Sequence, residues 1–226
     1  MPDVRIHELT IADAPASWEA LGFVVGSDVC QIGAVRIRLA GRDAGRDAGR
    51  LAGRDAGHGL VGWTLSGVST EALDGLPTSH ARDAGATADA KPSAHPNGVV
   101  AFDHVVAITP ALDRTVAVLH AAGLDLRRVR EKPTPAGAPR QAFFRLGDVI
   151  LEVVQAPDEA IERSGGPDGS AFFWGLAFKV ADLDATVATI GEERCTPPRP
   201  AVQPGRRIAT LRRSAGLAVP VALMTE

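Results

Sequence analysis

Phe102-Asp103-His104-Val105-Val106-Ala107-Ile108, followed by Ala111-Leu112-Asp113-Arg114-Thr115-Val116-Ala117, reads as a strand running into a helix. The same order returns in Phe173-Trp174-Gly175-Leu176-Ala177-Phe178 and Asp182-Leu183-Asp184-Ala185-Thr186-Val187-Ala188. The shared Leu-Asp-x-Thr-Val-Ala sets Leu112 against Leu183, 71 residues further on (183 − 112). In both copies an Asp falls in the first helical turn, where a negative charge favours the helix dipole. Leu112, Val116 and Leu119 then recur at helical spacing, as do Leu183, Val187 and Ile190. Three strand candidates follow each helix. In the first copy they are 124–129, 141–146 and 149–154, the last two joined by the turn Gly147-Asp148. In the second they are a piece near 193–196, then 207–212 and 217–224. Each copy is a β-α-β-β-β module.

The N-terminal part repeats this order in eroded form: a strand over 4–11, a short helix over 14–21 that Gly22 can end, and strands at 23–25, 29–32 and 35–39. A further strand is expected over 59–68 and a second helix start over 69–76, so one module is followed by a truncated one. Two segments lack core-forming periodicity. Residues 41–57, GRDAGRDAGRLAGRDAG, are a Gly-Arg-Asp-Ala repeat expected to form a loop, each Arg neutralised by a nearby Asp. Residues 77–98 are rich in Ala, Pro, Ser and Asp and read as a linker. The expected organisation is a degenerate module over 1–76, a linker over 77–98, and a two-module domain over 99–226, with modules at 99–158 and 170–226. The class is α+β.

Composition narrows the function. The 226 residues hold 24 Lys+Arg against 27 Asp+Glu, a net charge of −3, which argues against a nucleic-acid partner. No run approaches the roughly 18 apolar residues of a membrane span, and Met1-Pro2-Asp3-Val4-Arg5 does not open a secretory signal. Cys30 and Cys195 are too few for a disulfide framework or a Cys-rich zinc site and read as reduced thiols. A cytoplasmic location is expected. Lysine occurs only at 91, 132 and 179, Ala is abundant and Tyr is absent. This usage reads as a GC-rich bacterial genome.

Tandem modules with a His on the first strand and a Glu on the fourth resemble the vicinal oxygen chelate superfamily. That group contains glyoxalase I, extradiol dioxygenases, fosfomycin-resistance proteins and bleomycin-binding proteins. The residues carrying the resemblance are Phe102 to Val106, the helix from Leu112 to Gly123, and Phe143-Phe144-Arg145-Leu146-Gly147-Asp148-Val149-Ile150-Leu151-Glu152-Val153-Val154. The resemblance covers 99–226 well and 1–76 loosely. It implies two modules pairing into an incomplete barrel whose concave face holds the substrate and often a divalent metal. It makes His104 and Glu152 the metal ligands of the first module. The second module departs from the pattern, with Gly175 opposite His104 and Ala222 or Leu223 opposite Glu152. In the N-terminal part, His7 aligns with His104, Arg38 with Glu152 and Trp63 with Gly175. The implied cofactor is therefore none, or a weakly held divalent ion.

The two residues also stand out without the resemblance. Glu152 interrupts the apolar run 149–154, so its carboxylate is either unfavourably buried or directed into a polar cavity. Alternation puts Ile150, Glu152 and Val154 on one face, and His104, Val106 and Ile108 on one face of their strand. Three readings stay open: a metal site, a metal-free ligand or acid–base site, and a structural hydrogen bond in a degenerate pocket. Around them, Arg140, Gln141, Phe144, Trp174 and Arg207 are ligand-contact candidates, with Gln203 and Arg206 flanking Pro204-Gly205 nearby. His58, His80 and His95 are expected in solvent. The functional alternatives are a glyoxalase-like lyase, isomerase or dioxygenase-related enzyme, a metal-free binding or sequestering protein of the bleomycin-resistance type, and a degenerate partner-binding protein. The expected partner is a small molecule, and a homodimer is compatible with this reading.

Overall fold

The computed structural model describes residues 3–44, 59–81, 94–133, 137, 139–163 and 166–226. Two sheets carry the fold. The N-terminal unit contains β1 (Arg5–Ile11), α1 (Pro15–Glu19), β2 (Val29–Ile32), β3 (Val35–Leu39), β4 (Leu60–Ser66) and β5 (Thr78–His80). Its five strands lie in the order β2-β3-β1-β4-β5. The remainder forms β6 (Val99–Thr109), α2 (Leu112–Ala121), β7 (Asp125–Arg130), β8 (Gln141–Leu146), β9 (Val149–Gln155), α3 (Asp158–Arg163), β10 (Phe172–Val180), α4 (Leu183–Ile190), β11 (Arg199–Pro200), β12 (Arg207–Thr210) and β13 (Val221–Met224).

The two C-terminal modules share one open sheet, β11-β12-β13-β10-β6-β9-β8-β7, joined where their first strands pair antiparallel. Val105 lies opposite Leu176, its own counterpart at the 71-residue offset, so the pseudo-twofold passes between them. In each module the first strand runs parallel to the fourth, β6 beside β9 and β10 beside β13. The helices cover the apolar face. Leu112, Thr115 and Leu119 of α2 are buried, as are Leu183, Thr186, Val187 and Ile190 of α4. Asp182 caps α4 by accepting from the Ala185 N–H at 3.0 Å, and Gly191, at φ 97°, ends it.

The N-terminal sheet repeats the centre of this plan with five strands in place of eight. β1 is parallel to β3 and antiparallel to β4, which is in turn parallel to β5. Pro77 precedes β5 as Pro220 precedes β13. The Trp63 N–H bonds to Pro77 O at 3.1 Å as the Leu176 N–H bonds to Pro220 O at 2.9 Å. Gly62 and Gly175 therefore occupy one position, each where a Cβ would meet the proline carbonyl oxygen, at 3.1 and 3.0 Å.

A β-bulge recurs in all four first strands, at His7, Val61, Asp103 and Trp174, each left out of the register between its neighbours. A bulge re-aims the side chains beside it. The bulge also corrects the sequence alignment by one residue. Glu8, not His7, corresponds to His104, and Gly62, not Trp63, corresponds to Gly175. Arg38 keeps its place opposite Glu152, because Thr10 pairs with Arg38 as Val106 pairs with Glu152.

The apolar faces of the two sheets meet. Trp63 stacks edge-on with Phe173 at 4.9 Å, and Trp18, Phe23, Phe102 and Phe178 form one aromatic cluster. Polar ties close the seam. Buried Asp13 accepts from Trp18 Nε1 at 3.1 Å and from the Ala218 N–H at 2.7 Å. Asp74 pairs with Arg114 at 3.1 Å and accepts from Thr115.

Several expected elements differ. Residues 23–25 form no strand, because Phe23 turns into the core and the Val24 N–H bonds to His95 Nδ1 at 3.0 Å. His95 is thus buried, not solvated, with Nε2 3.0 Å from Gln31 O, and burial holds its pKa below the ordinary value. Residues 69–76 make no helix. Asp74 has φ 51°, and Leu73 bridges to Leu76 instead. Near 193–196 only Cys195 bridges, to Leu211, and Arg199–Pro200 supplies the module's second strand after two prolines that cannot donate to a ladder. The ends of the expected linker are ordered, as β5 on one side and buried His95 and Asn97 on the other. Most of the repeat loop (45–57), His58, and linker residues 82–93 lie outside the described residues.

Candidate functional site

The face of the eight-stranded sheet turned away from the N-terminal unit carries the site. Val105, Ala107, Leu151 and Val153 point into the core, which leaves His104, Val106, Ile150 and Glu152 on the opposite face. The bulge at Asp103 lets that carboxylate join its neighbour. Asp103 Oδ2 lies 2.7 Å from His104 Nδ1. His104 Nε2 faces Glu152 Oε2 at 3.6 Å, too long for a direct hydrogen bond. The two side chains are 19% and 17% exposed, so each is accessible from one side only.

Asp103 is held in turn by Arg206, whose Nη2 lies 2.7 Å from Oδ1. Arg206 also donates to Gln203 Oε1 at 2.7 Å and to Thr225 O at 2.8 Å. Burial alone would raise the Asp103 pKa, but hydrogen bonds from His104 and Arg206 outweigh it and hold the carboxyl at about 2. Glu152 goes the other way. Burial raises its pKa, against the opposing effects of the His104 charge and a hydrogen bond from Gln141 Nε2. Asp103 accepts from Nδ1, which leaves His104 Nε2 turned toward Glu152 Oε2 across the 3.6 Å gap. Two carboxyls flanking one imidazole are thus tuned in opposite directions, an arrangement suited to passing a proton.

Of the ligand-contact candidates, Gln141 is buried and donates to Glu152. Phe144 is not on this face. It is fully buried in the core, and Phe143, directly opposite Glu152, takes the exposed side, with the Arg128 guanidinium 4.9 Å from its ring centroid. Trp174 sits at its bulge with half its surface exposed. Arg140 and Arg207 are spent on structure. Arg140 pairs with Asp113 at 2.9 Å and Glu131 at 2.6 Å, and Arg207 pairs with Asp184 at 2.6 Å. These are the same contact in both modules, strand β8 or β12 tied to the first turn of the helix. Arg206, the neighbour of Arg207, is the arginine that reaches the site.

The divalent ion implied by the resemblance does not fit these residues. His104 Nε2 and Glu152 would be its only two protein ligands here, since Asp103 is taken by His104 Nδ1 and Arg206, and catalytic zinc sites use three. Across the pseudo-twofold, Gly175 and Ala222 stand where ligands would be needed, since Ala177 pairs with Ala222 as Val106 pairs with Glu152. Neither has a donor. Among the described residues no group of three or more His, Cys, Asp or Glu is placed to hold a metal. In the N-terminal sheet the corresponding positions hold an ion pair, Glu8 Oε1 to Arg38 Nε at 2.8 Å, flanked by Arg36 at 3.3 Å. His7 lies beside it, 2.8 Å from Ser66 Oγ. Two cavities, of about 370 and 300 Å³, lie away from His104, where β1 meets the β8–β9 turn.

Paired β-α-β-β-β modules joined through their first strands define the vicinal oxygen chelate fold, and this chain has it. No protein-family model matches the chain, and no curated protein is similar to it in sequence. Similar solved structures include methylmalonyl-CoA epimerases. That from Mycobacterium tuberculosis is 18% identical, with a TM-score of 0.46 over 57% of this chain and 89% of its own. A variant of the Streptomyces coelicolor enzyme, in complex with 2-nitronate-propionyl-CoA, is 24% identical, with a TM-score of 0.45 over 57% and 98%. A third, in complex with methylmalonyl-CoA and ammonium, is 24% identical, with a TM-score of 0.45 over 55% and 93%. Among the described residues no helix is long and apolar enough to cross a membrane.

Proposed function

We propose that the His104 face is a metal-independent acid–base site for a small oxygenated molecule, serving an isomerase- or lyase-type reaction. The observation that carries this reading is the row Asp103–His104–Glu152. One carboxylate orients the ring through Nδ1 at 2.7 Å, and the second, with a raised pKa, waits across a 3.6 Å gap from Nε2. A ligand oxygen or C–H seated at that gap would meet a base and an acid at once. Arg206 keeps Asp103 ionised, and Asp103 fixes the ring through Nδ1, as a carboxylate or backbone carbonyl does for other catalytic histidines.

Solvent-deuterium exchange tests it. Small 2-hydroxy and 2-oxo carboxylates and methylmalonyl-CoA are incubated with the protein in D2O containing a chelator, and C–H loss is followed by NMR. Exchange is expected to persist with chelator and to fall about 10²–10⁴-fold in H104Q and in E152Q. Exchange that requires an added metal, or that survives E152Q, would overturn the reading.

A second reading, a metal-free binding or sequestering protein, draws on the Gln141 hydrogen bond. That contact occupies one oxygen of Glu152, as a recognition group would have it. Ligand binding with no exchange on any substrate would favour it.

A further inference from the structure

Gln141 opens β8 with only 8% of its surface exposed. Its amide nitrogen is committed to Glu152, while its carbonyl oxygen Oε1 is sealed from solvent without a hydrogen-bond partner. Buried acceptors are normally paired, because desolvation without a bond costs free energy. Around Gln141, His104 Nδ1 is paired with Asp103, Asp103 with Arg206, and Glu152 Oε1 with Gln141 itself. Oε1 is thus an acceptor left over beside Glu152 Oε2, which faces His104 Nε2 at 3.6 Å, and Gln141 lies two residues along β8 from Phe143, the partner of Glu152.

The strands beside it set what else a ligand would meet. Arg130 lies directly opposite Gln141 on edge strand β7, and its charge acts on Glu152. Phe143 lies opposite Glu152, with Arg128 stacked on its ring. On the far side of Glu152 the same row continues through Val106 to Gly175, which are small.

The geometry points to a 2-hydroxycarboxylate with an apolar substituent as the ligand class of this face. The hydroxyl donates to Gln141 Oε1, the carboxylate lies toward Arg130, and the apolar group lies over Phe143. This assignment rests on the same face being the small-molecule site proposed above.

Mandelate, phenylacetate and methyl mandelate separate the three contacts. Phenylacetate lacks only the hydroxyl, and the ester lacks only the charge. With the full chain titrated by ligand-observed NMR, mandelate is expected to bind about three- to tenfold tighter than phenylacetate, the equivalent of one ordinary hydrogen bond. The ester is expected to bind more weakly than mandelate. Q141M should close the gap between mandelate and phenylacetate, and R130M should weaken the two acids but not the ester. Equal binding of mandelate and phenylacetate to the unmodified protein, or binding of none of the three, overturns the assignment without recourse to a variant. The two readings can also fail separately. A mandelate preference with no proton exchange on any substrate leaves this assignment standing and sinks the acid–base reading. Exchange with no mandelate preference does the reverse.

Discussion

Arg206 and Asp103 form the closest contact that ties the two C-terminal modules together at the site, 2.7 Å from Nη2 to Oδ1 across 103 residues of sequence. The first module supplies His104 and Glu152, and the second supplies no ligand-type residue at the matching positions. It contributes through this arginine, which fixes the carboxylate that fixes the imidazole.

That pair makes acid stability a direct readout. Asp103 titrates at about 2 in the folded chain against an ordinary 3.8. A depressed carboxyl contributes stability that is present above the ordinary value and is lost as pH falls through the folded one. Asp103→Asn is expected to cost about 1–2 kcal/mol at pH 7, a figure discounted for partial solvent screening. The acid limb of its stability curve should flatten between about pH 4 and 2. Urea unfolding across that range checks it, and a variant that parallels the parent protein down to pH 2 would contradict the ion pair.

Glu152 predicts the opposite sign. Burial raises its pKa, so the folded state holds its proton longer than the unfolded chain does. That contribution is present below the ordinary carboxyl value and is lost as pH rises through the raised one. Glu152→Gln should therefore stabilise the protein at pH 8, on the order of 0.5–1 kcal/mol, with the advantage vanishing toward pH 4. Thermal unfolding at the two pH values measures it. Lower stability of the variant at pH 8 would mean that the Gln141 and His104 contacts outweigh the buried charge.

The modules were legible in the sequence because helix and strand periods differ and because the 71-residue repeat aligns their turns. That His104 shares a face with Val106, and Glu152 with Ile150, followed from alternation alone. What alternation cannot register is an added residue. The bulge at Asp103 turned a neighbour that should have faced the core into the partner of His104, and the bulge at His7 moved the alignment to Glu8. Phe143 and Phe144 could be assigned to faces only once the register opposite Glu152 was known. Arg206 and Arg207 differ by one position, and only the fold shows that Asp184 claims one and Asp103 the other.

Metal content offers a third check. A tightly held ion would stabilise the fold by mass action, about 2.7 kcal/mol at a hundredfold excess over its Kd. With Gly175 and Ala222 across the pseudo-twofold, zinc, nickel or manganese is expected to leave the melting temperature unchanged. Elemental analysis of protein purified without a metal-affinity tag should return well under one ion per chain. One firmly retained ion per chain would reverse the conclusion about the donor set.

Gly175 also explains why that half of the face cannot regain a ligand by a single change. A Cβ at this position would lie 3.0 Å from Pro220 O, a backbone atom held by its own hydrogen bond to the Leu176 N–H. Pro220 O must give by a few tenths of an ångström to admit any side chain there, histidine included. Gly62 repeats the constraint against Pro77 O at 3.1 Å. Gly175→Ala and Gly62→Ala are each expected to cost about 1–3 kcal/mol, the usual range for forcing atoms into a packed position. Gly26 is the control. A Cβ there would meet nothing within 4 Å, and Gly26→Ala should be neutral or slightly stabilising, since it restricts only the unfolded chain. Denaturant midpoints of the three variants decide it. If Gly175→Ala matched Gly26→Ala, the β10–β13 pairing would have to be looser than the 2.9 Å hydrogen bond indicates, and a histidine at 175 would become a workable second ligand.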